Sequence, residues 1–149
     1  MIALASAGAG FLLAVLWFDL MFDVQVRGHR ERELPEDVLA SIAGYYRRVT
    51  TTARPMNQLI SAVMLVTLAA IVAEIVDGDV ARWVAWTSLG LAAAPILLAG
   101  RRTLPSAVRL GARSDSVERQ SALARSICRE HLLCLAAITA LLALQLSSA

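Results

Sequence analysis

Residues 2–21 read IALASAGAGFLLAVLWFDLM, followed by Phe22 and Asp23. The run carries no charge before Asp19, and its length is what a helix needs to cross a hydrocarbon layer of about 30 Å. Lipid offers no partner to an exposed peptide group, so a run of this kind is helical wherever it enters a bilayer. Three more apolar runs of similar length follow, at residues 56–76, 80–100 and 127–146. Segments of alternating polarity, which would suggest a barrel, are missing. The pattern predicts an all-α fold, an integral membrane four-helix bundle forming one transmembrane domain over residues 1–149. Its helices are expected at about 2–24, 56–76, 80–100 and 116–147, with a short amphipathic cytoplasmic helix at about 35–49.

The composition agrees. Of 149 residues, 58% are hydrophobic and 17% charged, with a mean hydropathy of +0.63. A soluble domain is about 45–50% apolar and about 25% charged, so the surplus needs an apolar solvent. The first run has no basic residue ahead of it and is longer than a signal-peptide core, which favours a retained helix over a cleaved leader.

All 14 basic residues are arginine, and 13 of them fall within residues 27–54 and 101–129. Arg82 alone lies on the other side, with Asp77 and Asp79. By the positive-inside rule both arginine-rich connections are cytoplasmic and both termini face away from the cytoplasm. The expected location is a bacterial inner membrane. The same rule accounts for the arginines without nucleic acid; the partners expected are membrane lipids and a partner membrane subunit or a second copy of the chain.

Several local readings follow. On the first helix Ala5, Gly8, Leu12, Asp19 and Asp23 share one line, a face suited to helix contact, and Ser6, Gly10 and Ala14 form a second row of small residues. Pro35, with Glu36 and Asp37 behind it, opens the amphipathic helix. Val38, Leu39, Ile42, Tyr45, Tyr46 and Val49 recur on it at helical spacing, either at headgroup level or as a cap over the bundle. Pro55 opens the second long helix, on which Asn57, Ser61, Met64, Leu68 and Ile75 share a face, while Glu74 is expected to reach the far interface. Asp77, Gly78 and Asp79 read as a tight turn, Trp83 and Trp86 as interface anchors, and Pro95 as a kink. Asp115 and Glu118 have capping-box spacing, placing the start of the last helix near Ser116.

Counted inward from the non-cytoplasmic face, Asp19, Asn57 and His131 come to similar depth. Asp19, Asp23, Asn57 and His131 are therefore the candidate catalytic cluster. A carboxylate at a helix centre costs on the order of 3 kcal/mol, so such residues pair or serve a site. Arg54, Arg125 and Arg129 are the expected pairing partners of the aspartates. Cys128, His131 and Cys134 are weak candidate metal ligands, since the two thiols diverge by about 120° around a helix. Haem ligation by His131, or general-base chemistry oriented by Asp19, are the other uses considered; no cofactor is assigned. Phosphate-binding loops, nucleophile elbows and HExxH or CxxC motifs do not occur.

Two stretches, RRTLPSAVRLGAR (residues 101–113) and REHLLCLAAITALL (residues 129–142), resemble small four-helix bacterial membrane proteins of unassigned function and, more distantly, anthrone-oxygenase-type membrane proteins. The resemblance implies four helices with a proline-containing connection after the third. Ser106 stands where the oxygenase-like pattern has asparagine, and no catalytic residue carries over.

The function expected first is a non-catalytic accessory or scaffold component of a membrane. The alternative is a small membrane enzyme or cofactor-binding protein acting on a hydrophobic substrate at the cytoplasmic side. An oligomeric transporter is the third.

Overall fold

A computed structural model describes residues 1–78 and 80–148, together with the backbone but not the side chain of Arg54. The Asp79 half of the predicted turn, the proposed Arg54 ion pair and Ala149 lie outside the described residues. Among them there are α-helices and no strand: α1 Ile2–Asp23, α2 Glu36–Arg47, α3 Arg54–Asp77, α4 Arg82–Leu98, α5 Leu104–Ala112 and α6 Val117–Ser147. Four helical stretches are long and apolar enough to cross a membrane: Ile2–Gly28, Pro55–Asp77, Arg82–Ala112 and Val117–Ser147.

Local chemistry explains most of the boundaries. Glu36 and Asp37 lie in the first turn of α2 and Arg47 in its last, each opposing the helix dipole. Beyond Arg47 the backbone widens into a π-type turn, closed by Ala53 N–H donating to the Arg48 carbonyl at 3.0 Å. Thr50 and Thr51 hydroxyls donate to the Tyr46 and Arg47 carbonyls, the back-bonding that bends helices at threonine. Gly78 ends α3 at φ 72°, a conformation open to glycine at little cost.

The connection after the third span differs from expectation. In place of a loop reaching Ser116, α4 passes through Pro95 and a second π-type turn at Ala99–Thr103 straight into α5. Pro105 lacks an N–H for the preceding turn, and the widened turn absorbs that loss without ending the helix. The chain turns only at Arg113, which adopts φ 52°. The cap of α6 also shifts: the Ser116 hydroxyl accepts from Arg119 N–H, while Asp115 pairs with Arg109 at 2.8 Å.

α1, α3, α4 and α6 pack side by side around Ala5, Ala9, Leu12, Ala70, Ile71, Ala92, Ile138 and Leu141. Gly8 lets α1 approach α3 closely, since a Cβ there would lie 2.0 Å from Thr67 Oγ1. The buried line of α3 runs through Thr67, Ala70, Ile71 and Glu74, whereas Ser61 is exposed. Of the face read from the sequence, Met64 and Leu68 pack against the edge of this core and Asn57 and Met64 line a cavity, while the fully buried line lies about a quarter-turn away.

A second core caps one end of this bundle. Leu39, Ile42, Ala43 and Tyr46 of α2 meet Ala107 and Leu110 of α5 and Ala124, Ile127 and Cys128 of α6. The apolar side of α2 therefore packs on protein, as in the cap reading. Gly111 makes this possible: a Cβ there would lie 2.8 Å from the Arg47 backbone nitrogen. The 31 residues of α6 run through both cores.

Polar ties fix the segment between α1 and α2 to α6. Arg125 donates to the Glu31 and Arg32 carbonyls, and Leu34 N–H donates to the Ser121 hydroxyl at 2.9 Å. Arg113 forms a two-pronged contact with Glu36, both distances 2.8 Å.

Candidate functional site

The two aspartates of α1 are held by tyrosines and a histidine rather than by arginines. Asp23, with no exposed surface, accepts from the Tyr46 hydroxyl at 2.6 Å through Oδ1. Its Oδ2 lies 2.6 Å from His131 Nδ1. Asp19, one turn earlier and partly exposed, accepts from the Tyr45 hydroxyl at 2.6 Å. Its other oxygen, Oδ2, stands 3.9 Å from His131 Nε2. Arg125 is committed to backbone carbonyls instead, and Arg129 makes no ion pair among the described residues.

Three elements build this geometry. α1 offers Asp19 and Asp23 at i, i+4 on one face. α2 delivers adjacent tyrosines, and the ring of Tyr45 stacks on Phe22 with centroids 4.2 Å apart. α6 supplies the imidazole. Asp23 fixes Nδ1 as the proton-bearing nitrogen, because a carboxylate can only accept. Nε2 then faces Asp19, as a lone pair when the ring is neutral and as a second N–H when it is protonated.

Burial, and after it the charge and hydrogen bond of Asp23, push the Tyr46 hydroxyl far above the ordinary tyrosine range. Burial and then the Asp19 carboxylate do the same to Tyr45. Both phenols therefore remain proton donors at any physiological pH, and each aspartate keeps a permanent donor.

Asp19, Tyr45, Tyr46 and His131 form the polar end of a cavity of about 500 Å³, within the usual range for small-molecule sites. The rest of its wall is largely apolar, including Phe11, Leu12, Val15, Ile60, Met64, Pro95 and Ile138. Asn57 lines it too, but its amide donates to the Val49 carbonyl at 2.5 Å and holds the π-type turn rather than His131. Of the four sequence candidates, Asp19, Asp23 and His131 meet directly and Asn57 stands apart on the same wall.

The weak metal candidates do not assemble. Cys134 lines the cavity, Cys128 packs in the α2–α5–α6 core, and both thiols are free. No group of three His, Cys, Asp or Glu side chains suited to a metal occurs among the described residues.

Sequence reasoning placed the tyrosines either at headgroup level or in a cap over the bundle, and in neither case as partners of the aspartates. A signal existed: Tyr46 shares the line of Leu39 and Ile42, and a tyrosine on a buried face needs an acceptor for its hydroxyl. It also missed a second buried polar group. Glu74, expected at an interface, has no exposed surface; Gln145 Nε2 donates to Glu74 Oε2 and Ser88 Oγ, both at 3.0 Å. Glu130 likewise accepts from Thr103 at 2.6 Å and Ser126 at 3.0 Å.

No protein family, curated protein or solved structure matches this chain.

Proposed function

We propose that this is a small multi-pass membrane protein that binds a hydrophobic ligand at the cytoplasmic end of its helices and exchanges a proton with it through His131. The observation carrying this reading is an imidazole fixed by a fully buried carboxylate at the end of an apolar cavity. Asp23 holds Nδ1–H, so Nε2 is oriented to accept, the arrangement of a general base with its orienting acid. Tyr45 occupies Asp19 Oδ1 and leaves Oδ2 available. A ligand hydroxyl about 2.8 Å from Nε2, an ordinary hydrogen-bond distance, donates its one hydrogen there. Its proton passes to Nε2 while the electron pair stays on the ligand oxygen.

This is the enzyme or cofactor-binding alternative of the sequence reading. A purely structural role explains the tyrosine–aspartate and histidine–aspartate bonds as helix ties, but it leaves the cavity beside them without a purpose. One observation favours an accessory role as a second reading: an added Cβ at Gly10 meets nothing within 4 Å. The row Ser6, Gly10 and Ala14 thus leaves room on α1 for a partner helix or a second copy.

The membrane setting rests on the four long apolar helices and the outward apolar side chains, with Leu65 and Val76 68% and 77% exposed. The arginine-rich end, carrying α2 and α5, is the cytoplasmic end of a bacterial inner-membrane protein, and both termini lie opposite. A topology reporter fused after Ala149 tests the orientation; activity on the cytoplasmic side overturns it.

The ligand reading is tested by native mass spectrometry of protein released gently from its own membranes. Added mass from an apolar ligand, retained by wild type and lost in a folded His131→Ala variant, is the expected result. A bare chain in both rejects the reading.

A further inference from the structure

Two cavities flank the short π-type turn between α2 and α3. Tyr45, Tyr46, Val49, Thr50 and Ala53 belong to the wall of the apolar cavity. Gly44, Arg47, Arg48, Thr52 and Ala53 line an open cleft of about 770 Å³. Ala53 is common to both, and as alanine it leaves little side chain to separate them. The four consecutive residues 45–48 thus divide their duties, two tyrosines toward the aspartates and two arginines toward the cleft.

The arginines are placed for an anion. Both are exposed, and neither pairs with a carboxylate among the described residues. Four acids at this end already have partners, Glu36 with Arg113, Glu118 with Arg32, Asp115 with Arg109 and Glu130 with Thr103 and Ser126, and Glu31, Glu33 and Asp37 form no ion pair with Arg47 or Arg48 among the described residues. Guanidinium groups match phosphate oxygens in charge and in their forked geometry. The turn between cleft and cavity is held open by three bonds, from Thr50, Thr51 and Asn57 to the Tyr46, Arg47 and Val49 carbonyls. An arginine-lined cleft adjoining an apolar cavity at the end of membrane-length helices is complementary to one kind of molecule, an anion with an apolar chain.

We infer that the two cavities together bind an anionic phospholipid, with its phosphate on Arg47 and Arg48 and one apolar chain among Phe11, Leu12, Ile60 and Ile138. This rests on the apolar-ligand part of the reading above and names a class for that ligand; it does not draw on the proton exchange, since an acyl chain brings no hydroxyl to His131. The lipid enters past Ala53, and its chain lies against the wall that carries Asp19 and His131.

The test uses the full chain purified in a non-ionic detergent, with native mass spectrometry after addition of phosphatidic acid, phosphatidylcholine or inorganic phosphate. Phosphatidic acid is expected to be retained roughly 30-fold better than phosphatidylcholine, the effect of two arginines on an anionic lipid. Arg47→Gln with Arg48→Gln removes that preference. Ala14→Phe, at an exposed position that also lines the cavity, lowers retention of both lipids. Thermal melting confirms that each variant is folded. Displacement of phosphatidic acid by millimolar inorganic phosphate, with Ala14→Phe without effect, overturns the inference in favour of a surface anion site. Equal retention of the two lipids also overturns it, while leaving a neutral ligand and the proton-exchange reading intact. Failure to retain any apolar molecule rejects both.

Discussion

His131 Nδ1 lies 2.6 Å from Asp23 Oδ2 across 108 positions of chain. The same carboxylate takes the Tyr46 hydroxyl at 2.6 Å, so one group with no exposed surface joins α1, α2 and α6. The two aspartates differ in burial, and so do the consequences of disturbing them.

Tyr46→Phe leaves Asp23 with a single donor in a dry site. Losing a hydrogen bond to a buried charged group costs about 1.5–3 kcal/mol. Tyr45→Phe affects Asp19, which retains solvent contact, and costs less. Thermal melting in detergent should rank the variants wild type, Tyr45→Phe, Tyr46→Phe in falling order. Equal losses would contradict the difference in burial.

Both tyrosines have folded-state values raised far above 10, and the chain has only these two. Their contribution to stability is complete below the unfolded value near 10 and is lost as pH rises above it. Alkaline titration followed by ultraviolet absorbance should show no tyrosinate until the protein unfolds, with both rings then ionising together. A separate step in the folded protein would show that one hydroxyl is free.

Gly8→Ala places a methyl group 2.0 Å from Thr67 Oγ1, and overpacking of this kind costs about 1–3 kcal/mol. Adding Thr67→Ala removes the obstructing hydroxyl and should recover most of the loss. A double-mutant cycle measured by thermal unfolding checks it; additive losses would place the two residues out of contact.

Glu74→Gln should stabilise the protein. Glu74 Oε1 and Gln145 Oε1 are both buried without a partner. An amide at position 74 can accept from Gln145 and donate back to it, replacing two orphaned acceptors with a reciprocal pair. A gain of about 1 kcal/mol is expected. Gln145→Leu, which removes the donor facing Glu74, should destabilise instead.

The contact of Glu36 with Arg113 is exposed and answers to pH. The hydrogen bond from Arg113 holds the Glu36 carboxyl below its ordinary 4.5, so its stabilisation is present above that value and fades as pH falls through the lowered one. Melting temperature between pH 3 and 6 should drop less steeply in Arg113→Gln than in wild type, with the difference shrinking in high salt. Identical slopes would dismiss the pair.

Much of the molecule is legible in its amino-acid sequence. Four apolar runs mark the four long helices because hydropathy is a property of length and composition. The α1 face is readable because its aspartates and glycine stand out against alanine and leucine. On α3 the fully buried line through Thr67, Ala70, Ile71 and Glu74 is less readable, since exposed and core-facing apolar residues look alike there. Depth along the helices matches Asp19, Asn57 and His131, of which Asn57 ties the turn instead, and Asp23 is reached only by sharing the α1 face with Asp19. Tyr45 and Tyr46 cannot be matched in this way, because their helix lies across the end of the bundle, where counting residues through a membrane says nothing about level. The continuation of α4 into α5 is hidden by Pro95 and Pro105, which signal breaks unless a widened turn absorbs them.

The ties between Asp23 and His131, Arg32 and Glu118, and Leu34 and Ser121 each join an early part of the chain to α6. During synthesis at about 5–20 residues per second, α1 waits roughly 5–20 s before the histidine that completes Asp23 has been made. In that interval its carboxylates have only water, headgroups or the tyrosines of α2 to meet them. A ribosome that stops before α6 leaves α1 bearing two aspartates without their imidazole, a marker by which an unfinished copy differs from a finished one.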